Sequence, residues 1–218
     1  MRAPLVAVLD YGIGNLRSAQ KALERCGADA RLTADHGLIA DADAVVLPGV
    51  GAFGACMDAL RAAQLETAAL DAVASGRPFL GICVGMQMLF SGSDENPTAR
   101  GLGVIEGQIE WISADVPRPQ MQWNQLDLLA ADPLFVGLGE HPWVYFVHSL
   151  HGVPADPSAV VATCEYGDTV NAAFRQGNVF ATQFHPEKSA TAGLALLANF
   201  VAGVRSGAGS SLRQGAST

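Results

Sequence analysis

The stretch Pro78-Phe79-Leu80-Gly81-Ile82-Cys83-Val84-Gly85-Met86-Gln87-Met88-Leu89-Phe90 decides how the rest of the chain is read. Phe79 to Ile82 is an apolar run suited to a strand buried on both faces, and Met86, Leu89 and Phe90 follow at helical spacing. Between them stands one cysteine, with a glycine two residues before it and another two residues after. This is the spacing of a nucleophile elbow, with sulfur where many hydrolases carry a hydroxyl. A strand that turns sharply into a helix forces its apex residue into a strained backbone conformation, and the flanking glycines avoid side-chain clashes there. The apex side chain then projects above the sheet edge. The helix N-terminus beside it offers free N–H groups and partial positive charge, which favour a thiolate. The alternative is a buried cysteine packing as a small hydrophobe. The elbow context favours the reactive reading.

Upstream, Leu5 to Leu9 is a continuous apolar strand, and Asp10 to Leu16 is a turn at its carboxyl end. A helix is expected over Leu16 to Cys26, with Ala19, Ala22, Leu23 and Cys26 on one face and Gly27 as its stop. Gly12 and Gly14 suggest a dinucleotide fingerprint, but Arg17 occupies the third glycine position and no acid follows a second strand at the required distance. Ala28 to Leu32 and Ala44 to Leu47 are further short strands. The second of these leads into Pro48-Gly49-Val50-Gly51-Ala52-Phe53-Gly54, a turn whose N–H groups can face a ligand. Helix is expected from about Ala55 to Ser75 with a break near Gln64, and Gly76-Arg77-Pro78 ends it. The order β-α-β-β-α-β predicts a doubly wound, mostly parallel sheet with its crevice outside the strand carboxyl ends. Asp10, Gly49 and Cys83 all fall at such ends.

Downstream of Gly101 the helical period nearly vanishes. Gly107 to Ile112, Gln125 to Leu128, Trp143 to Val147, Ala159 to Cys164, Ala172 to Arg175 and Val179 to Gln183 are strand candidates, so the C-terminal half is expected to add an antiparallel extension. Thr191 to Val204 is a last helix. Residues 1–204 read as a single domain, and 205–218, rich in Gly, Ser and Ala, as a disordered tail.

The 218 residues suffice for a large core, and 50% are hydrophobic. The formal charge of −8 and the absence of a Lys/Arg-rich run argue against nucleic acid or an anionic membrane as partner. The four cysteines form no CxxC pair, which fits a reducing cytoplasm and gives no metal-site spacing. Met1 to Pro4 has no signal-peptide character. The apolar stretch Gly193 to Val204 is too short to span a bilayer.

A thiol nucleophile needs a base, and the base needs an orienting group. Of the five histidines, His36 and His141 fall in expected loops. His148 and His185 each follow a strand, and His151 lies close behind His148. His185 has the better context: Pro186 sets the chain direction and Glu187 follows two residues on, able to hold the imidazole tautomer. His148 has no acid within four residues on either side.

Gly81 to Gln87 together with His185-Pro186-Glu187 resembles the class I (triad) glutamine amidotransferases, a flavodoxin-like α/β family. Asp10 to Leu16, Pro48 to Phe53, Tyr145 to Ser149 and His185 to Ser189 are most similar to one branch of it, the glutaminase subunits of imidazole glycerol phosphate synthases in histidine biosynthesis. The similarity runs from about Val6 to Val201. It implies Cys83 as nucleophile, His185 as acid–base and Glu187 as its orienting group. It implies N–H groups of Val50 and Val84 as the oxyanion hole, and Gly49, Gly51, Gln87, His148 and Ser149 around the substrate glutamine. In this family the loop at 49–51 resembles a switch that is set when the partner is occupied. The implied partner is a (β/α)₈-barrel cyclase that receives the ammonia in a heterodimer, docked over Asn15, the segment 121–124 with Trp123 and Asn124, and Lys188. No cofactor and no metal is implied. The chain departs from the family at Gln120 and Gln122, where His and Gly are common, and at Leu150, where tyrosine is usual. Two other readings are an amidotransferase domain serving anthranilate or pyridoxal phosphate synthesis, and a non-catalytic interaction module of the same fold. The Asp10–Leu16 loop and Lys188 argue against the first, and the intact Cys83, His185 and Glu187 against the second.

Overall fold

The computed structural model describes residues 2–206. The chain order is β1 (Leu5–Leu9), α1 (Leu16–Arg25), β2 (Asp29–Thr33), α2 (His36–Asp41), β3 (Ala44–Gly49), α3 (Phe53–Ala62), α4 (Glu66–Ala74), β4 (Phe79–Cys83), α5 (Val84–Gln87) and β5 (Phe90–Ser93). It continues through β6 (Ile105–Trp111), β7 (Gln120–Gln125), β8 (Asp127–Leu128), β9 (Trp143–His148), β10 (Leu150–Pro154), β11 (Val160–Tyr166), β12 (Asp168–Gln176), β13 (Val179–Thr182) and α6 (Ala190–Arg205). Eight strands form the main sheet in the order β2-β1-β3-β4-β13-β12-β11-β8. The strands from β2 to β13 pair in parallel. β12, β11 and β8 add the antiparallel extension. A three-stranded sheet (β10-β6-β5) and a two-stranded ribbon (β7-β9) complete the domain.

The central strands are buried because helices cover both faces of a parallel sheet. Every residue of β3, β4 and β13 is buried. The expected break at Gln64 is a left-handed turn, φ 58°, separating α3 from α4.

Four expectations are corrected. The stretch placed as loop around His36 is a helix, α2, held by Asp35 accepting a hydrogen bond from Leu38 N. The helix after Cys83 is a single turn: Phe90, placed on its apolar face, instead opens β5. The strand placed at Gln125 to Leu128 is split, with its main part earlier, as β7. Arg205, placed in the tail, ends α6 and donates to Gly27 O at 2.7 Å. The rest of the expected tail, 207–218, lies outside the described residues.

Candidate active site

β3 and β4 run side by side with Gly49 opposite Cys83, and β13 flanks β4 on the other side with Thr182 opposite Ile82. The site is therefore built on the carboxyl ends of three adjacent strands. Cys83 is the apex between β4 and α5, with φ 55° and ψ −115°. A non-glycine residue in that region is strained, and strain of this kind persists only where the surroundings hold it. What holds it is close approach: a Cβ on Gly85 would lie 1.9 Å from Leu47 O. Only a glycine lets the first turn of α5 rest directly on the β3 backbone.

His185 follows β13 by a short link. Its amide donates to Tyr145 O of β9 at 3.0 Å, and its carbonyl accepts from Ser189 Oγ at 2.6 Å. Pro186 opens a 3-10 turn over Pro186–Lys188, which brings Glu187 back against the ring. His185 Nδ1 lies 2.8 Å from Glu187 Oε1, with both side chains almost fully buried. A carboxylate only accepts, so Nδ1 carries hydrogen and donates. Nε2 is buried with no hydrogen-bond partner among the described residues. Burial disfavours the imidazolium, but Cys83 and Glu187 together outweigh it and push His185 up to about 10.

A group raised in this way stabilises the fold fully below its unfolded value near 6.5, and the contribution is lost as pH rises toward the folded value. Thermal stability is accordingly expected to fall between about pH 7 and 10. In Glu187→Gln, which removes one of the raising groups, that fall should be shallower. Melting curves across the range check this, and equal slopes for the two proteins would refute it.

The loop after β3 is tied on both sides of its central peptide. Tyr11 Oη donates to Pro48 O at 2.7 Å, and the Cys56 thiol donates to Val50 O at 3.2 Å. Burial pushes the Cys56 thiol above its ordinary value, so it keeps the hydrogen that it donates. Between these anchors, Val50 N–H has no acceptor among the described residues. Gly51 adopts φ 91°, with nothing within 4 Å of where a Cβ would lie. The first N–H groups of α5, Val84 included, have no acceptor within the helix.

A cleft of about 480 Å³ opens above these groups. Of the residues singled out from sequence, it brings together Cys83, His185, Val50, Val84, Gly51, Gln87, His148, Ser149, Asn15 and Lys188. Glu187 stands behind His185. Gly49 is not on the wall: a Cβ there would meet Gly85 N at 2.7 Å and Tyr11 Oη at 2.9 Å, so it sets the spacing beneath the cleft. His148 is buried and held below the usual histidine range, to about 4, chiefly by burial. Its Nδ1 donates to Leu150 O at 2.7 Å, and Gln120 Oε1 lies 2.8 Å from Nε2, so both ring nitrogens are engaged. His148 is thereby a fixed wall residue rather than a second base.

Glu95 and Pro119 also line the cleft and were missed from sequence. Glu95 accepts from Phe53 N at 2.7 Å, at the start of α3. Gln183 was noted only as the end of a strand, yet it is fully buried with its amide 3.9 Å from Cys83 Sγ. An uncharged polar residue closing the apolar strand Val179–Thr182 was the available signal.

Beside the cleft lies the β7-β9 ribbon. Met121 pairs with Val147, Trp123 with Tyr145 and Gln125 with Trp143. Met121, Trp123 and Trp143 are exposed, and Trp123 packs edge-on against Tyr145 at 6.0 Å. Trp123 is therefore a surface aromatic. Asn124 is one residue out of that alternation and donates to Glu165 O at 2.9 Å, so its amide is engaged within the chain.

A cysteine at a strand-to-helix elbow, an imidazole held by a carboxylate and a glycine-rich loop over one cleft define a thiol-dependent amide hydrolase, and the model for the class I glutamine amidotransferases matches residues 7–204. The chain belongs to that family. It is 48% identical over 203 residues to the imidazole glycerol phosphate synthase subunit HisH of Syntrophotalea carbinolica, covering 90% of this chain and 98% of the relative. The HisH of Synechococcus elongatus is 50% identical over 202 residues, covering 91% and 93%. Within the family the chain thus stands among the HisH subunits. Among solved structures, a glutamine amidotransferase superposes with a TM-score of 0.72 at 25% identity, covering 92% of this chain and 98% of that one. A chain of PurLQS from Thermotoga maritima gives 0.71 at 22% identity, over 92% and 98%, a likeness of fold. No helix among the described residues is long and apolar enough to cross a membrane.

Proposed function

We propose that this chain is the glutaminase subunit of an imidazole glycerol phosphate synthase and works through Cys83, His185 and Glu187. The observation that carries the reading is His185, which offers one ring nitrogen to Glu187 at 2.8 Å and lines the same cleft as Cys83 with its other nitrogen unpartnered among the described residues.

Cys83 Sγ attacks the side-chain amide carbon of glutamine, and the carbonyl oxygen gains the electron pair. Val50 and Val84 N–H groups stabilise that oxyanion. His185 holds the thiol proton and delivers it to the departing nitrogen as the C–N bond breaks, releasing ammonia and leaving a thioester. Water, deprotonated by His185, then cleaves the thioester to glutamate and restores the thiol. Glu187 keeps the imidazole in the tautomer that this cycle requires. Glu95 supplies negative charge to the cleft for the substrate ammonium, while Gln87, Gly51, His148 and Ser149 shape its walls.

The partner is a (β/α)₈-barrel cyclase, forming a cytoplasmic heterodimer in which ammonia moves from one subunit to the other. Support comes from the exposed Met121, Trp123 and Trp143 on the ribbon next to the cleft, with Asn15 and Lys188 on the cleft wall. Asn124 contributes by bracing the ribbon on β11.

A glutaminase assay with and without the cyclase and its nucleotide ligand tests the reading. The isolated chain is expected to turn over glutamine slowly, and the occupied partner to raise the rate by about 10²-fold or more, the size of effect one oxyanion donor supplies. A fast isolated chain would refute the switch at Val50. Failure to co-purify with a cyclase would refute the subunit assignment.

A further inference from the structure

We propose that Gln183 is a direct hydrogen-bond donor to the nucleophile, aimed at Cys83 Sγ by a chain of hydrogen bonds that begins at the Leu150 carbonyl and runs through Gln87. The inference deepens the glutaminase reading and rests on it for the role of Cys83.

The direction of the chain follows from its first link. Leu150 O can only accept, and Gln87 Nε2 lies 3.4 Å from it, which settles which end of the Gln87 amide faces that way. The same Nε2 lies 3.1 Å from the Gln183 amide, so the group it meets there is Gln183 Oε1. The other end of that amide, Nε2, is then the one 3.9 Å from Cys83 Sγ. Leu150 O also accepts from His148 Nδ1 at 2.7 Å, so the carbonyl that starts the chain is itself held in place. Gln183 is fully buried, and its backbone amide donates to Ala172 O at 2.9 Å, so the side chain has no alternative aqueous partner.

An N–H group binds a thiolate more strongly than a thiol, because the bond is charge-assisted. Gln183 therefore favours the ionised sulfur, and it does so without exchanging a proton. His185 moves the proton, whereas Gln183 lowers the energy of the charge left behind. Gln87, on the cleft wall, is the positioning residue that keeps the Gln183 amide from turning its oxygen to the sulfur.

The test is the pH dependence of Cys83 alkylation by iodoacetamide in the full chain, read on the Cys83 peptide by mass spectrometry. Gln183→Met keeps the side-chain volume and removes the donor. Its profile is expected to move to higher pH, slowing alkylation near neutrality by about 3- to 10-fold. Gln87→Met should move it in the same direction by less. In the assembled synthase, Gln183→Met should lower kcat with little change in KM, because the donor bears on sulfur and not on the amino-acid end of the substrate. Circular dichroism and melting curves establish that each variant is folded. If Gln183→Met does not fold, Gln87→Met decides: a displaced profile supports the proposal and an unmoved one overturns it. A folded Gln183→Met with the wild-type profile overturns it outright. A wild-type Cys83 that alkylates no faster than the half-buried Cys26 would instead overturn the glutaminase reading.

Discussion

Cys83→Ala is expected to eliminate ammonia release from glutamine, by about 10⁴-fold or more, while the protein still folds and still co-purifies with its partner. Loss of a nucleophile that forms a covalent intermediate leaves only the residual effect of binding and the oxyanion donors. The fold should survive because alanine meets the same backbone demand at φ 55° as cysteine does, and the side chain removed is small. The measurement is coupled detection of glutamate in the partnered enzyme, with a melting curve as control. A variant that still produced glutamate at the wild-type rate would end the assignment of Cys83. Loss of folding would show that the elbow is structural as well.

Gly85→Ala should be among the most damaging single-methyl additions in the described chain. The added Cβ would sit 1.9 Å from Leu47 O and 2.7 Å from the Leu47 carbonyl carbon. Both atoms belong to β3, which pairs with β1 on one side and β4 on the other, so neither can move without breaking sheet hydrogen bonds. The expected cost is about 3–5 kcal/mol, in the range of a forced clash in a packed core, or a melting temperature lower by roughly 10 °C. Gly203→Ala is the contrast. It lies within α6 with nothing within 4 Å of the new Cβ, and should stabilise by about 0.5–1 kcal/mol through helix propensity alone. Equal melting temperatures for the two variants would show that the Gly85 contact relaxes freely.

The parts of the site that could be read from sequence are those whose chemistry is local. Gly81, Cys83 and Gly85 sit within one turn, and His185 and Glu187 are separated by one proline, so spacing alone exposes their relation. The parallel half was legible for a similar reason: β1, β3 and β4 are short runs of apolar residues, each followed by a turn. The helix α2 escaped because six residues, with Gly37 among them, are too few to display a period. β10 escaped because Gly152 and Pro154 interrupt it, and it becomes a strand only by pairing with β6. Gln183 and Glu95 escaped for a deeper reason. The one acts on a sulfur far back in the chain and the other caps a distant helix, contacts that tertiary folding creates; a polar residue closing an apolar strand marks Gln183 but not the group it meets.

The nucleophile and the base are attached to neighbouring rungs of one ladder, with Ile82 opposite Thr182 at the centre of the main sheet. Their separation is therefore governed by the same hydrogen bonds that exchange with solvent only when the whole domain opens. Fraying of surface loops should leave that separation untouched, so heat inactivation of the thiol chemistry should coincide with deuterium uptake at the amides of Phe180 and Ala181. Inactivation well before those amides exchange would mean that the hinge of failure is the loop at Val50, not the floor on which Cys83 and His185 stand.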